Sequence, residues 1–206
     1  MTATTTADQA TGTAISSAGV ALLGTVAVAV AGCGSKSVVQ SKPIVAGAPF
    51  ASVRPAPAPA NWQAATIPIG AVLAYPPGWT RVASDPGTAT AIRADGRQRI
   101  AGYLNATPRQ GSETLANWPQ FRARHNAAEG DRAVTTEAAA YGVRFPTGSG
   151  SCVRDSYTTV SRARYVEIAC LVAGTDAMSV IVAAATRADW TQLAPLLYRA
   201  LSAFRT

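Results

Sequence analysis

At 206 residues the chain has room for one domain with appended segments. Its composition, 48% hydrophobic against 14% charged, suits a globular protein with a real core and excludes an intrinsically disordered one. The formal charge of +7 fits an anionic membrane or wall better than nucleic acid, because Arg81, Arg93, Arg97, Arg99, Arg109, Arg122 and Arg124 are scattered rather than stacked in one run. From Thr66 onward the cationic side chains are arginines, while the lysines Lys36 and Lys42 both come earlier. An Arg-for-Lys, Ala-rich usage of this kind is common in high-GC bacterial genomes.

Residues Met1 to Thr13 are polar and Thr-rich and carry no Lys or Arg. A signal peptide normally opens with a positive region, so this start departs from that pattern. Ala18 to Ala31 then carry no charge. These fourteen residues match a signal-peptide core and fall short of the ~20 that span a bilayer. Counted from Ala14 to Gly32 the run reaches nineteen, so an uncleaved anchor helix stays open, as does a buried core helix. The run ends in Val30-Ala31-Gly32-Cys33, followed by Gly34-Ser35-Lys36-Ser37. This resembles the lipobox of bacterial lipoproteins: an aliphatic residue and two small ones ahead of a cysteine that is lipidated and becomes the first mature residue. The resemblance implies a signal at 1–32, a lipidated Cys33 and attachment to the outer face of the cell membrane. Each buried CH₂ contributes ~0.8 kcal/mol, so a cysteine bearing two or three acyl chains would be held there permanently.

Residues 33–65 read as the lipidated cysteine and a linker. Lys42-Pro43, Ala48-Pro49 and Pro55-Ala56-Pro57-Ala58-Pro59-Ala60 favour extended polyproline geometry, and thirty-two residues at ~3.1 Å each would reach ~100 Å. The folded domain is expected over 66–206. Ile67 to Tyr75 is β-prone but broken by Pro68, and Pro76-Pro77-Gly78 marks a turn. Trp79 to Ala83, Thr88 to Ala94 and Arg99 to Ala106 read as strands, with a two-residue turn at Asp95-Gly96. A helix follows Pro108–Ser112, with Leu115, Trp118, Phe121, Arg122 and His125 at helical spacing and Gly130 as its stop. Pro119 must open that helix or kink it. Ala133 to Phe145, Ser151 to Val160, Arg164 to Val172 and Met178 to Ala185 read as strands. A last helix runs from Thr186, with Asp189 three residues on, and buries Trp190, Leu193, Leu197, Leu201 and Phe204; Pro195 repeats the ambiguity of Pro119. This order is α+β, most simply an antiparallel sheet with helices packed on it.

If Cys33 takes lipid, Cys152 and Cys170 remain as a pair in an oxidising compartment. A turn near Ser161 would place them opposite each other, within disulfide reach; two buried thiols or a redox pair are the other readings. Closing the nineteen-residue loop stabilises by ~3 kcal/mol on the chain-entropy model. The same register sets Asp155 against Glu167, which is unfavourable unless an arginine such as Arg154 or Arg164 intervenes.

Nothing in the spacing points to catalysis. Ser149, Ser151 and Ser156 lack a nucleophile-elbow frame; His125, the lone imidazole, has no ligand-like neighbour; Asp155 and Glu167 read better as one face of a hairpin. Neither a metal site nor a phosphate or dinucleotide loop is expected, and no cofactor follows. The aromatics Trp79, Tyr103, Trp118, Phe121, Tyr141, Tyr157, Tyr165 and Trp190 should mostly be core. Any that gather at the surface would mark a contact patch for a partner, a glycan or a lipid.

From Tyr75 onward the layout resembles the Mog1/PsbP-like α/β sandwich of small actinobacterial lipoproteins. The carriers are Tyr75-Pro76-Pro77-Gly78-Trp79, the helix with Trp118 and Phe121, and the closing Leu201-Ser202-Ala203-Phe204. The resemblance implies an antiparallel sheet between helices that serves as a binding or assembly module with no shared catalytic residues. The expectation is therefore a non-enzymatic, membrane-anchored accessory lipoprotein of the cell envelope, with no nucleic-acid partner. An envelope lipid carrier, which needs an apolar cavity between sheet and helix, and an envelope hydrolase are the alternatives.

Overall fold

The computed structural model describes residues 48–206. The expected signal segment at 1–32, Cys33 and the first part of the expected linker lie outside the described residues. After a 3-10 turn at Ala48–Phe50 the chain forms β1 (Gln63–Thr66), β2 (Val72–Tyr75), β3 (Thr80–Val82), β4 (Ala89–Ala94), β5 (Ile100–Pro108) and α1 (Trp118–Ala128). Then come β6 (Arg132–Phe145), β7 (Gly148–Thr158), β8 (Arg164–Ala173), β9 (Met178–Thr186) and α2 (Trp190–Ala203). Strands β3 to β9 make one sheet in the order β3-β4-β5-β9-β8-β7-β6, antiparallel throughout, while β1 and β2 pair as a separate hairpin. The fold is α+β, as expected, with a helix on each face.

Strand alternation assigns the two faces. One row across the sheet runs Ala91, Leu104, Ala183, Ile168, and the next runs Ala89, Ala106, Ile181, Cys170, Cys152. The alanines in these rows let α2 settle closely, burying Leu193, Leu197, Ala200 and Leu201. Gly102 shows how tight this side is: a Cβ there would lie 2.8 Å from the Trp79 ring and 2.9 Å from Leu193. On the opposite face the shorter α1 presses Trp118 onto Val153, Ala169, Leu171, Val180 and Val182. The Trp118 indole N–H donates to the Ala169 carbonyl at 2.9 Å, so its one polar atom is satisfied.

Several local expectations change. Residues 48–65 are integral to the fold rather than linker: Phe50 and Val53 are buried in the core with Trp62 packed against them. The backbone N–H of Arg54 donates to Ser202 Oγ and that of Ala56 to the Ser202 carbonyl. The boundary expected at 66 therefore lies inside the folded unit. The strand expected over Ile67–Tyr75 splits because Pro68 and Gly70, at φ +89°, form a turn closed by Ile67 N–H to the Ala71 carbonyl. Asp95-Gly96 is not a two-residue turn: the Asp95 carboxylate accepts from the N–H groups of Arg97 and Arg99 and holds a five-residue loop, Asp95–Arg99. Helix α1 starts only at Trp118, with Pro119 in its first turn, which resolves that proline as an opener. Helix α2 begins at Trp190 rather than Thr186 and keeps Pro195 inside it.

Cys152 and Cys170 are directly paired across β7 and β8 with Cα atoms 4.1 Å apart, and they form a disulfide. Removing it in Cys152→Ala/Cys170→Ala should lower the unfolding free energy by about 2–4 kcal/mol, measured by denaturant titration. Phe50→Ala should cost about 3–5 kcal/mol, as a buried aromatic does. Were residues 48–65 mere tether, its unfolding midpoint would match that of the parent chain.

Candidate functional site

Helix α1 covers only part of its face of the sheet. The row beside it runs Tyr103 (β5), Ala184 (β9), Glu167 (β8), Asp155 (β7). Ala184 puts a methyl group between two long side chains, and this leaves a trench. Tyr157 and Tyr165, paired on the next rung of β7 and β8, stack with ring centroids 6.1 Å apart and form its end. The result is a groove of about 340 Å³ lined by Tyr103, Tyr157, Tyr165, Arg122, Asn126 and Glu167 among others, with Glu129 and Asp131 at its rim. A second hollow of about 280 Å³ continues along α1 and shares Tyr103, Arg122 and Glu129. A larger depression, about 790 Å³, lies between loops at the end of the sheet and is lined by Arg99, Arg162, Arg164 and Arg187. It lacks the buried charged groups that mark the groove.

Charge organises the groove. Glu167, 1% exposed, sits mid-strand and must be paired to remain ionised there. Arg122 reaches down from α1 and donates twice, Nε to Oε1 at 2.7 Å and Nη2 to Oε2 at 2.8 Å. The Tyr157 hydroxyl donates to Oε2 at 3.0 Å. Burial alone would push the Glu167 carboxyl up; the guanidinium, with Tyr157 and Asn126 beside it, outweighs this and holds it below the ordinary carboxylate range. Burial works against the Arg122 charge too, but Glu167 more than compensates and keeps it protonated. Burial first, then the Glu167 charge, pushes the Tyr157 hydroxyl far above its usual range. Arg122 and Glu167 are thus locked onto each other, which suits a structural and recognition role rather than proton transfer.

Asp155 is the exception. It faces Glu167 across the strand pair, is fully buried, and neither carboxylate oxygen has a hydrogen-bond partner. Burial, opposed by Thr136, pushes its pKa up to about 7. The arginine that answers the facing carboxylates is Arg122, and not Arg154 or Arg164. Arg154 points to the other face, beside Glu137 and over the Trp190 ring, 5.1 Å from its centroid. His125 stacks on Phe121 and lies 3.1 Å from Glu129. Ser151 donates its hydroxyl to the Leu115 carbonyl, a structural contact. Of the aromatics, Trp79 and Trp118 are core, Tyr141 is exposed, and Tyr103, Tyr157 and Tyr165 gather at the groove. Arg122 and Asn126 were not foreseen as site residues; both lie on the inward side of α1, where their polar heads could only serve something buried in the sheet.

A carboxyl whose folded pKa lies above its unfolded value adds stability at low pH and loses it as pH rises through the folded value. For Asp155 that loss falls between about pH 4 and 7. Asp155→Asn should therefore match the parent chain near pH 4 and exceed it in unfolding free energy at pH 8, as read by denaturant titration. Equal stability at both pH values would show that Asp155 is not held protonated.

No family model matches the chain, and no curated protein matches it. Among solved structures, that of cyanobacterial PsbP (CyanoP) from Synechocystis sp. PCC 6803 aligns with a TM-score of 0.50 at 16% identity, over 72% of this chain and 94% of that one. PA94 of Pseudomonas aeruginosa aligns with a TM-score of 0.46 at 12% identity, over 71% and 97%. LpqN, involved in cell envelope biogenesis of Mycobacterium tuberculosis, gives 0.36 at 15% identity, over 71% and 78%. The likeness to CyanoP is one of fold, and it establishes the antiparallel sheet flanked by helices as PsbP-like.

Proposed function

We propose that the chain is an exported lipoprotein, anchored through Cys33 to the outer face of the cell membrane, and that its domain is a non-enzymatic binding module of the envelope. The observation that carries this reading is the Cys152–Cys170 disulfide between β7 and β8. Such a bond persists in an oxidising compartment, and with two of three cysteines joined, Cys33 is the one left over, in the lipobox-like setting. The binding face is the tyrosine-lined groove beside α1. Its buried charges neutralise each other instead of facing a substrate, and this favours recognition over catalysis. Those same charges make its walls poorly suited to an acyl chain, which weighs against a lipid carrier.

Mass spectrometry of the full chain from bacterial membranes tests the reading. The mature protein should begin at Cys33, carry a diacylglyceryl mass and show the Cys152–Cys170 linkage. Cys33→Ala should move the protein out of the membrane fraction. Native material that begins upstream of Cys33, or that leaves membranes in salt alone, would overturn the anchoring.

A further inference from the structure

The groove beside α1 has a charge opposite to that of the molecule. The chain carries 18 Lys and Arg against 11 Asp and Glu, yet three carboxylates, Glu129, Asp131 and Glu167, line this groove against one guanidinium, Arg122. Arg122 is bound in two-fold fashion to Glu167, so the rim carboxylates are left in excess; His125 lies 3.1 Å from Glu129, and Asp131 has no ion-pair partner among the described residues. Burial in the first place, then Glu167 and Glu129, pushes the Asp131 carboxyl above its usual range. A positive charge placed there would relieve this repulsion.

The lining itself points to a ligand. Tyr103 and Tyr165 stand on the strands either side of β9, and Ala184 leaves the space between them open. Asn126, 1% exposed, supports the Glu167 carboxylate. Aromatic faces beside carboxylates bind organic ammonium groups, because the ring quadrupole attracts a cation too large and too weakly hydrated to need a cage of oxygens. Among the described residues no group of carboxylates, His or Cys is arranged to hold a metal ion.

We propose that this groove binds a small organic cation, an alkylammonium group seated over Ala184 between Tyr103 and Tyr165, with Asp131 as its counter-charge. This rests on the groove being the binding face of the module and names the class of its ligand.

The test is calorimetric titration of the purified full-length chain with choline, with dimethylbutanol (its uncharged carbon isostere), and with methyl glucoside as a neutral hydroxylated probe. Choline should bind and the isostere should bind at least about tenfold more weakly, since only charge distinguishes them. Asp131→Asn and Tyr103→Leu should each weaken choline binding about three- to tenfold with unfolding midpoints near that of the parent chain. Asp176→Asn, in the β8–β9 turn far from the groove, should leave it unchanged. Equal binding of choline and its isostere, or no heat from choline, overturns the proposal. Heat from methyl glucoside alone, lost in Tyr103→Leu, overturns the cation assignment and leaves the binding module standing. A failure of lipidation at Cys33 would appear in the mass spectrum and would not touch the groove.

Discussion

A carboxylate in the middle of a buried strand sets the terms for this fold. Glu167 on β8 cannot stay ionised without a counter-charge, and no residue of the sheet supplies one: its neighbours in the row are Ala184 and Asp155, and Tyr157 offers only a hydroxyl. The partner must come from above, so α1 has to lie where Arg122 reaches both carboxylate oxygens. Trp118, one turn earlier, fixes the helix start by filling the space over Ala169 and capping its carbonyl. With the first two turns of an eleven-residue helix assigned, the part of the sheet around Ala184 is left uncovered. The groove is the remainder of that arrangement: a polar anchor dictates the helix position, and the helix is too short to close what lies beside it.

Much of this was legible in the chain, and the parts that were not share a cause. The cysteine spacing and the turn near Ser161 give the β7–β8 register, and that register alone puts Asp155 opposite Glu167. What answers the pair is not local. Arg154 and Arg164 are the arginines nearest in sequence, but strand alternation sends Arg154 to the α2 side, where it covers Trp190. Arg122 is 45 residues from Glu167, and only the docking of a helix on a sheet brings them together. Tyr103 likewise joins the hairpin pair Tyr157 and Tyr165 only because β9 inserts between β5 and β8, an arrangement that no pattern within any one strand encodes.

The N-terminal boundary fails for a different reason. The repeated Pro-Ala of residues 55–60 has the composition of a spacer, and composition dominated the reading. Phe50, Val53 and Trp62 were the signal against it, because large apolar side chains have no use in a solvated tether. Polyproline geometry is also compatible with packing: an extended segment can lie along α2 with its few N–H groups answered by Ser202. Where such residues flank a Pro-rich run, the run is better read as a strap than as a spacer.

That strap gives the domain a mechanical character. A load arriving along the chain from upstream reaches Phe50 and Val53 before it reaches any strand, and these side chains must be drawn from between the sheet and α2. The bonds to Ser202 come next, and they give way one after another, as a zip does. The seven-stranded sheet, stitched internally by Cys152–Cys170, is therefore insulated from tension: a pull at Phe50 would peel the strap while the groove kept its shape.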